Sequence, residues 1–272
     1  MSSTESDKLF AGRIPELYET CLVPLIFEPY AADLAKRVAA RPIGSVLEVA
    51  AGTGVVTRAM AESLPESIAI IATDLNQPML DYAASRVIAR TVQWRQADAM
   101  ALPFADGSFD AVVCQFGVMF FPDRPGAYAE MRRVLKPGSM LLFNVWDRIE
   151  ENEFADTITR ALQELFPADP PMFLARTPHG YHDDATIMRD LHAGGFDATA
   201  KVDVVSARSR AASARDPAIA YCQGTPLRSE IEARDDAALG AATDVAAKAI
   251  GARFGGGAVD GKTQAKVIVI AR

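Results

Sequence analysis

The sequence predicts an α/β fold with a mostly parallel sheet, and two observations carry that prediction. Short apolar runs rich in β-branched residues alternate with helical segments over the first half of the chain, as strands joined by crossover helices do. Residues 46–57 also read V-L-E-V-A-A-G-T-G-V-V-T. This stretch predicts a buried strand over 45–49, a turn of small residues over 50–54 and a helix from Val55. Such a turn at the carboxyl end of a central strand is typical of a ligand cradle.

The length and composition indicate a globular protein of one domain with an elaboration, or of one and a half domains. The chain has 272 residues, 50% of them hydrophobic, and a net charge of -7 with scattered basic residues. This balance argues against nucleic acid or an anionic membrane as the main partner. The cysteines lie far apart without metal or redox spacing, and the few histidines do not suggest a metal site. A polar start without a signal peptide, and the lack of a spanning apolar run, predict a cytoplasmic protein.

The N-terminal region is expected to be helical. Residues 1–8 are polar and predicted to fray, whereas 10–40 reads as helix in pieces. Breaks are predicted at the prolines of this segment, Pro15, Pro24 and Pro29. We interpret 1–40 as a lid over the ligand cradle, with a helix packed on the edge of the sheet as the alternative.

The residues of the turn distinguish between two kinds of ligand. A dinucleotide fingerprint would carry a third glycine where Thr57 stands, after Gly52 and Gly54. Glu48 instead lies inside the end of the preceding strand. A carboxylate at that position suits a cationic amino-acid group better than a diphosphate.

The order Glu48-x-Ala50-x-Gly52-x-Gly54 resembles motif I of the class I S-adenosylmethionine-dependent methyltransferases. That family usually has aspartate at the position of Glu48 and glycine at the position of Ala50, so the departures keep the charge and the small size. The resemblance implies S-adenosylmethionine as the cofactor. Its expected contacts here are Glu48 and the turn residues Ala50, Gly52, Thr53 and Gly54. A glycine turn without a ligand is the alternative.

A second strand over 68–73 ends at Asp74, which is placed to accept from the two hydroxyls of a ribose. Nicotinamide-dependent oxidoreductases share an acidic residue there, so Asp74 alone leaves them open. The following residues, from Leu75 to the Met79-Leu80 pair, resemble the methyltransferase loop after that acidic residue. The resemblance implies that Met79, with Leu75, borders the adenine. Ordinary helix packing is the alternative for Met79.

The third strand, over 92–95, is followed by an A-D-A turn. In the family that this chain resembles, the aspartate of such a turn accepts from the adenine amino group. We therefore assign adenine recognition to Asp98, with Ala99 as a backbone donor. Residues 102–110 also resemble the loop before the fourth strand of small-molecule methyltransferases, and we interpret Asp110 as a turn cap rather than a ligand contact.

The fourth strand, over 111–115, ends at the edge of the sheet where ligands bind in open α/β folds. Gln115 and Phe116 are assigned to the cofactor site on that ground. Amino methyltransferases that act on nucleic acids tend to carry an Asn/Asp-Pro-Pro-aromatic tetrad here, whereas this chain reads Q-F-G-V. The difference argues against methylation of DNA or RNA bases.

Further landmarks extend the resemblance over about 41–147. A helix over 125–135, the R-V-L-K-P-G-S turn and a fifth strand over 139–146 follow in the family's order. The combination is specific, although no single landmark is. It implies a doubly wound, seven-stranded, mostly parallel sheet whose last strand is antiparallel.

The C-terminal part predicts shape more than chemistry. A sixth strand over 198–205 and a last strand over 266–272 flank alanine-rich helical patterns. Because a structureless loop of that length is rare, we predict a helical insertion over 206–263 that covers the active site. A dimerisation element, and hence a homodimer, is the alternative. The methyltransferase domain is predicted to comprise 41–205 and 264–272.

The sequence thus predicts methyl transfer from S-adenosylmethionine to a small-molecule acceptor by in-line displacement. The resemblance is to the group of quinone-biosynthesis C-methyltransferases, which have a methyltransferase type 11 domain. A non-catalytic module that binds S-adenosylmethionine is the second hypothesis, and a nicotinamide oxidoreductase is the third. Catalytic residues are unknown. Four side chains outside the cofactor motifs are candidates for a general base, with none chosen: His179, Tyr181, His182 and Tyr221.

Overall fold

The computed structural model of this chain describes residues 14–86, 88 and 90–272. The predictions for residues 1–8 and for the beginning of the lid segment lie outside these residues. The chain divides into two compact units. The sheet unit comprises Glu28–Val145, Tyr181–Val205 and Lys266–Arg272. The helical unit comprises Trp146–Gly180, Ser206–Ala265 and the described part of Met1–Phe27.

Seven strands form one sheet in the order β3-β2-β1-β4-β5-β7-β6. They are β1 (Ser45–Val49), β2 (Ala69–Asp74), β3 (Gln93–Gln96), β4 (Phe109–Gln115), β5 (Leu135–Trp146), β6 (Lys201–Ala211) and β7 (Val259–Ala271). The pairs β1–β2, β1–β4, β2–β3 and β4–β5 are parallel. Strand β7 runs antiparallel to β5, because Ser139 accepts from Arg272 whereas the later residue Asp147 donates to the earlier residue Gln264. The predicted seven-stranded, doubly wound sheet with an antiparallel last strand is confirmed.

Helices connect these strands. They are α1 (Ile14–Leu17), α2 (Glu28–Ala39), α3 (Val55–Ser63), α4 (Gln77–Ser85), α5 (Arg124–Val134), α6 (Glu153–Leu165), α7 (Phe173–Arg176), α8 (Asp184–Ala193), α9 (Arg215–Gln223), α10 (Leu227–Glu232) and α11 (Ala238–Phe254). A π-helical segment, Tyr18–Phe27, joins α1 to α2, and short 3₁₀ turns cover Val118–Phe120 and Ile149–Glu151. The helices α9, α10 and α11 occupy the long connection between β6 and β7.

The core of the sheet unit explains why its central strands are continuously apolar. One face of β1 and β4 packs on α2 and α3 through side chains that water does not reach, among them Leu34, Val46, Met60 and Val113. Burying one such aliphatic side chain is worth about 1.5–3 kcal/mol relative to leaving it exposed. This face therefore fixes the position of the turn between β1 and α3.

The helical unit has a core of its own. Phe154 on α6 is buried, and its ring contacts Phe254 of α11 edge to face at 5.0 Å. Alanines line the facing side of α11, and Ala242 and Ala246 are fully buried there. Small side chains let helices approach closely, which explains why an alanine-rich sequence forms packed helices here.

Two predictions about local structure are wrong. Neither Pro24 nor Pro29 breaks the N-terminal helix: Pro24 lies inside the π-helical segment, whose wider turn accommodates a residue that cannot donate, and Pro29 is the second residue of α2. Strand β6 continues to Ala211 rather than ending at 205, and β7 begins at Val259. Arg208 and Arg210 of β6 both pair with Asp260 of β7, and these cross-strand charge pairs support the additional length.

Candidate functional site

The predicted ligand-binding residues lie at the carboxyl ends of four neighbouring parallel strands, β3, β2, β1 and β4. Backbone hydrogen bonds hold the strand ends together. The N–H of Ala51 donates to the carbonyl of Thr73 at 2.9 Å, and that of Ala97 donates to the carbonyl of Asp74 at 3.0 Å. The structure therefore brings Glu48, the turn after β1, Asp74 and the segment containing Asp98 to one edge of the sheet.

The turn between β1 and α3 runs through left-handed backbone conformations. The φ angles are 56° at Ala50, 57° at Gly52 and 82° at Gly54. A side chain at Gly54 would also meet the Trp94 ring at 2.9 Å and Ala83 at 3.2 Å. Glycine is thus required at Gly54 by conformation and by space. Alanine at position 50 keeps the small size, but its left-handed conformation costs about 1–2 kcal/mol.

Thr53, in the middle of this turn, is fully buried. Its Oγ1 has no hydrogen-bond partner among the described residues. Its carbonyl accepts from Nη1 of Arg58 at 2.7 Å, which fixes the backbone of the turn. A buried hydroxyl without a partner costs about 1–3 kcal/mol, so the turn keeps one unsatisfied polar atom next to the predicted cofactor contacts.

Glu48 is buried, with 1% of its surface exposed. Oγ1 of Thr57 donates to its Oε2 at 2.5 Å. Burial raises the pKa of Glu48 to about 8, against the opposing effects of Thr57 and Arg58. Thr57 thus donates a hydrogen bond to Glu48. The sequence does not indicate this role, because in the motif Thr57 is notable only for standing where a third glycine would be. A cationic group next to this carboxylate would favour its ionised form.

Asp74 ties the turn to β2. Its Oδ2 accepts from the N–H of Gly52 and its Oδ1 from the N–H of Asn76, both at 2.8 Å. Burial raises the pKa of Asp74, and these hydrogen bonds offset the effect only in part. Nδ2 of Asn76 also donates to Oδ1 at 3.4 Å, so the capacity that Asp74 keeps for a ligand hydroxyl is greater at Oδ2, which accepts from Gly52.

Apolar and polar groups border Asp74 on the β2 and β3 side. Leu75 is 47% exposed, which is unusual for a large aliphatic side chain, whereas Met79 is buried. The terminal methyl of Met79 lies 3.7 Å from the position that a side chain at Gly52 would take. Asp98 accepts from the N–H of Met100 at 2.9 Å, and Ala99 is buried beside it. This surface offers an apolar wall and a carboxylate to a flat heteroaromatic group.

The segment after β4 closes the other side of the turn. Phe116 has a φ of 51°, a left-handed conformation rare for aromatic residues. Its N–H donates to Oδ1 of Asn144 at 2.9 Å, and Asn144 is fully buried. A side chain at Gly117 would lie 2.7 Å from Cβ of Ala50. The sequence predicts Gln115 and Phe116 at the site, whereas it carries no local signal for Asn144, which holds the strained backbone.

Comparisons with known proteins decide the family. The profile of a family described as "Methyltransferase domain" matches residues 47–143, from β1 to β5. The ubiquinone/menaquinone biosynthesis C-methyltransferase UbiE of Burkholderia mallei is 32% identical over 168 residues, which cover 58% of this chain and 69% of that protein. This chain belongs to the class I S-adenosylmethionine-dependent methyltransferases.

Solved structures of other proteins have the same fold as this methyltransferase. YcgJ of Bacillus subtilis has a TM-score of 0.55 at 17% identity, covering 90% of this chain and 99% of that chain. The [4+2]-cyclase SpnF has a TM-score of 0.55 at 19% identity, covering 88% of this chain and 81% of that chain. At these identities the likeness shows a shared fold alone. Because the chain belongs to the methyltransferases, the hypothesis of a nicotinamide-dependent oxidoreductase is not supported.

The cofactor of this methyltransferase is S-adenosylmethionine, and the residues described above fit it. The unsatisfied Oγ1 of Thr53, the backbone of Gly52 and the exposed Leu75 suit a ligand that is polar at one end and apolar at the other. When bound, the cofactor supplies an electrophilic methyl group on a sulfonium. The protein's part is to bind, align and exclude water.

Of the four candidate bases, Tyr181 lies in the sheet unit and is already engaged. Its hydroxyl donates to Oδ2 of Asp190 at 2.9 Å, and burial raises its pKa. A phenol with a raised pKa that donates to a carboxylate is a poor proton acceptor. His182, in the same unit, accepts from Lys266 through its backbone carbonyl at 2.8 Å.

The other two candidates lie in the helical unit. Nδ1 of His179 lies 2.8 Å from the carbonyl oxygen of Asp147, so this nitrogen carries the proton. Tyr221 is buried on α9. Within the described residues, no group of three histidine, cysteine or acidic side chains could hold a metal ion. None of the helices described is long and apolar enough to cross a membrane.

Proposed function

We propose that this methyltransferase transfers the methyl group of S-adenosylmethionine to a small-molecule acceptor by in-line displacement. The observation that carries the proposal is the meeting of three carboxylate-bearing segments at one sheet edge, beside a turn whose buried Thr53 hydroxyl has no partner. The net charge of -7 and the Q-F-G-V sequence after β4 favour a small molecule over nucleic acid. The relationship to a quinone-biosynthesis C-methyltransferase supports the same acceptor class.

In this proposal the cofactor-binding side chains divide the ligand between them. Glu48 binds the amino group of the methionine part, and Asp74 accepts from the ribose hydroxyls. The turn of Ala50, Gly52, Thr53 and Gly54 lies against the middle of the molecule. Leu75 and Met79 border the adenine, Asp98 and Ala99 recognise its edge, and Gln115 and Phe116 close the site.

The chain contributes alignment more than acid–base chemistry. The strained Phe116 and the left-handed turn at Ala50 are held by buried partners, so the site is formed before a ligand arrives. Holding two reacting groups in line can replace about 7–11 kcal/mol of entropic and reorganisation cost. We name no catalytic base: the Tyr181 hydroxyl donates to Asp190, His179 and Tyr221 lie in the helical unit, and His182 stays a candidate.

Other parts of the proposal rest on the sequence. The spacing of the cysteines favours a cytoplasmic location. The roles of residues 1–40 as a lid and of 206–263 as a cap, or as the interface of a homodimer, belong to the same proposal.

Calorimetry and a labelled-methyl assay test the function. The full chain should bind S-adenosylmethionine and S-adenosylhomocysteine, and no binding at millimolar concentration would remove the cofactor assignment. Incubation with methyl-labelled S-adenosylmethionine and a metabolite panel should then label at least one small molecule. Binding without any labelled product, with cell extract as well as with the panel, would favour the non-catalytic binding module.

A further inference from the structure

Arg124, the first residue of α5, carries a charge that the chain leaves without an anionic partner. Within the part of the chain that the structure describes, no carboxylate oxygen lies within 4.0 Å of its guanidinium. Its Nη2 donates to the carbonyl of Met119 at 3.0 Å, and its Nε is buried without a hydrogen-bond partner. A buried donor of a charged group left unsatisfied is costly, so this arrangement requires a reason.

The neighbouring acidic residues are engaged elsewhere. Asp123 accepts from the N–H of Gly126 at 3.0 Å and caps α5. Asp190 accepts from the hydroxyl of Tyr181 at 2.9 Å and pairs with Arg189 at 3.4 Å. Neither carboxylate lies within 4.0 Å of the Arg124 guanidinium.

An aromatic face holds the guanidinium in one orientation. Its central carbon lies 4.3 Å from the ring centre of Tyr181, a cation–π contact. Tyr181 is itself buried and fixed by Asp190. Arg124 is therefore a positioned cation and not a mobile surface side chain.

The position of Arg124 connects it with the methyl-transfer site. The Met119 carbonyl to which it donates lies two residues after Gly117, whose backbone packs against Ala50 of the turn. In the sheet order the adenine candidates lie on the β2 and β3 side, whereas β4 and α5 lie on the other side of β1. That side is the one left for the acceptor in the proposed function.

We propose that Arg124 is a specificity-determining residue that binds an anionic oxygen, a carboxylate or an ionised phenol, on the methyl acceptor. The inference rests on the proposed function and deepens it, because it names the charge of the substrate. A guanidinium presents a planar fork of donors that matches a carboxylate, and a partly desolvated pair of this kind is stronger than a neutral hydrogen bond. An anionic acceptor would supply the counter-charge that the chain does not.

Binding measured on the full chain, saturated with S-adenosylhomocysteine, tests this proposal. Benzoate and benzamide have nearly the same shape and differ in charge. We expect benzoate to bind about tenfold more tightly than benzamide or better, as for a hydrogen bond to a charged group. The preference should vanish in Arg124→Gln and persist in part in Arg124→Lys, which keeps the charge but loses the fork.

Arg132→Gln is the matched control, because Arg132 lies on the same helix and outside the site. It should keep the preference for benzoate. Equal binding of benzoate and benzamide to the wild-type protein, or no binding of either at about 10 mM, overturns the proposal without recourse to a variant. Equal losses in Arg124→Gln and Arg132→Gln overturn it as well. If Arg124→Gln does not fold, the wild-type preference and the Arg124→Lys variant decide.

These outcomes differ from a failure of the proposed function. If S-adenosylhomocysteine does not bind, both proposals fall together. If methyl transfer occurs but the accepted compounds are neutral, the function stands and the role of Arg124 is wrong.

Discussion

Acidic side chains at the two edges of the parallel sheet have pKa values shifted in opposite directions. At the amino edge, where β1 and β4 begin, Asp110 accepts from the N–H groups of Gly44 and Ser45 at 2.9 Å and pairs with Lys136 at 2.7 Å. Partial burial raises the pKa of Asp110, but these partners outweigh it and leave the pKa below its ordinary value. The interpretation of Asp110 as a structural cap agrees with these contacts.

At the carboxyl edge the balance is reversed. Burial dominates at Glu48 and Asp74, and the pKa of each is raised. Neither carboxylate has an ion pair within 4.0 Å among the residues that the structure describes. The amino edge is thus compensated by the chain itself, whereas the carboxyl edge keeps two buried carboxyl groups with raised pKa values and an unsatisfied hydroxyl. This difference agrees with the proposal that Glu48 and Asp74 contact the cofactor whereas Asp110 is structural.

The largest expected effect concerns Glu48 and pH. The folded protein holds the proton of Glu48 up to about pH 8, whereas the unfolded chain releases it near 4.5. Raising the pH between these values therefore favours unfolding, and the free energy of unfolding should fall. The loss by neutral pH is on the order of 3 kcal/mol, since each unit of pKa shift is worth about 1.4 kcal/mol.

Urea titrations of the ligand-free protein at pH 5, 6.5 and 8 would measure how the free energy of unfolding changes with pH. Glu48→Gln keeps an acceptor for Thr57 but cannot ionise, so its stability should vary less over the same range. Asp110→Asn is the contrasting variant. Because the pKa of Asp110 is lower in the folded protein than in the unfolded chain, Asp110 stabilises the fold at neutral pH, and this contribution is lost in acid. Identical slopes for the wild type and Glu48→Gln between pH 5 and 8 would contradict the burial of a protonated Glu48.

The next effect compares two glycines with similar backbone angles. Gly54 has a φ of 82° and close neighbours, whereas Gly138 has a φ of 79° and nothing within 4 Å of an added Cβ. Gly138→Ala should cost only the left-handed strain, about 1–2 kcal/mol. Gly54→Ala adds an overlap with Trp94 and should cost about 1–3 kcal/mol more. Denaturant midpoints would measure both, and equal losses would mean that Trp94 moves aside freely.

A third effect separates binding from folding. Asp74→Ala should weaken binding of S-adenosylhomocysteine by about 1–3 kcal/mol, because ligand hydroxyls lose a buried acceptor. Asp110→Asn should lower stability and leave that affinity unchanged, since its partners belong to the other edge. Calorimetry on both variants would provide the test. Unchanged affinity in Asp74→Ala contradicts the ribose role.

The sequence predicts the fold well because its signals are local. The V-L-E-V run and the turn after it lie within a dozen residues, and β1 and α3 begin where that pattern places them. The requirement for glycine at Gly54 comes instead from Trp94 on β3, and the strain at Phe116 is held by Asn144 on β5. Such contacts join residues distant in sequence, and a single sequence does not show them.

Local patterns also mislead where a residue's usual effect is overridden. Pro24 carries a strong signal for a helix break, but the wider π-helical turn around it removes the conflict. Arg124 has the opposite problem, because nothing in its sequence context distinguishes it from the other arginines of α5. Its lack of an anionic partner is visible only once Tyr181 and Met119 are in place.

The smallest expected effect tests the one departure from glycine in the turn. Ala50→Gly removes a left-handed strain of about 1–2 kcal/mol but adds about 0.5–1 kcal/mol of chain entropy to the unfolded state. The variant should therefore be as stable as the wild type or up to about 1.5 kcal/mol more stable, by thermal or urea unfolding. Ala51→Gly, at the next residue and without a positive φ, should lose stability, because the entropy term and the removal of a buried methyl group act in the same direction. Equal losses at the two positions would mean that the contact of Ala50 with Gly117 outweighs its strain, and that the carboxyl edge stores less strain than its backbone angles indicate.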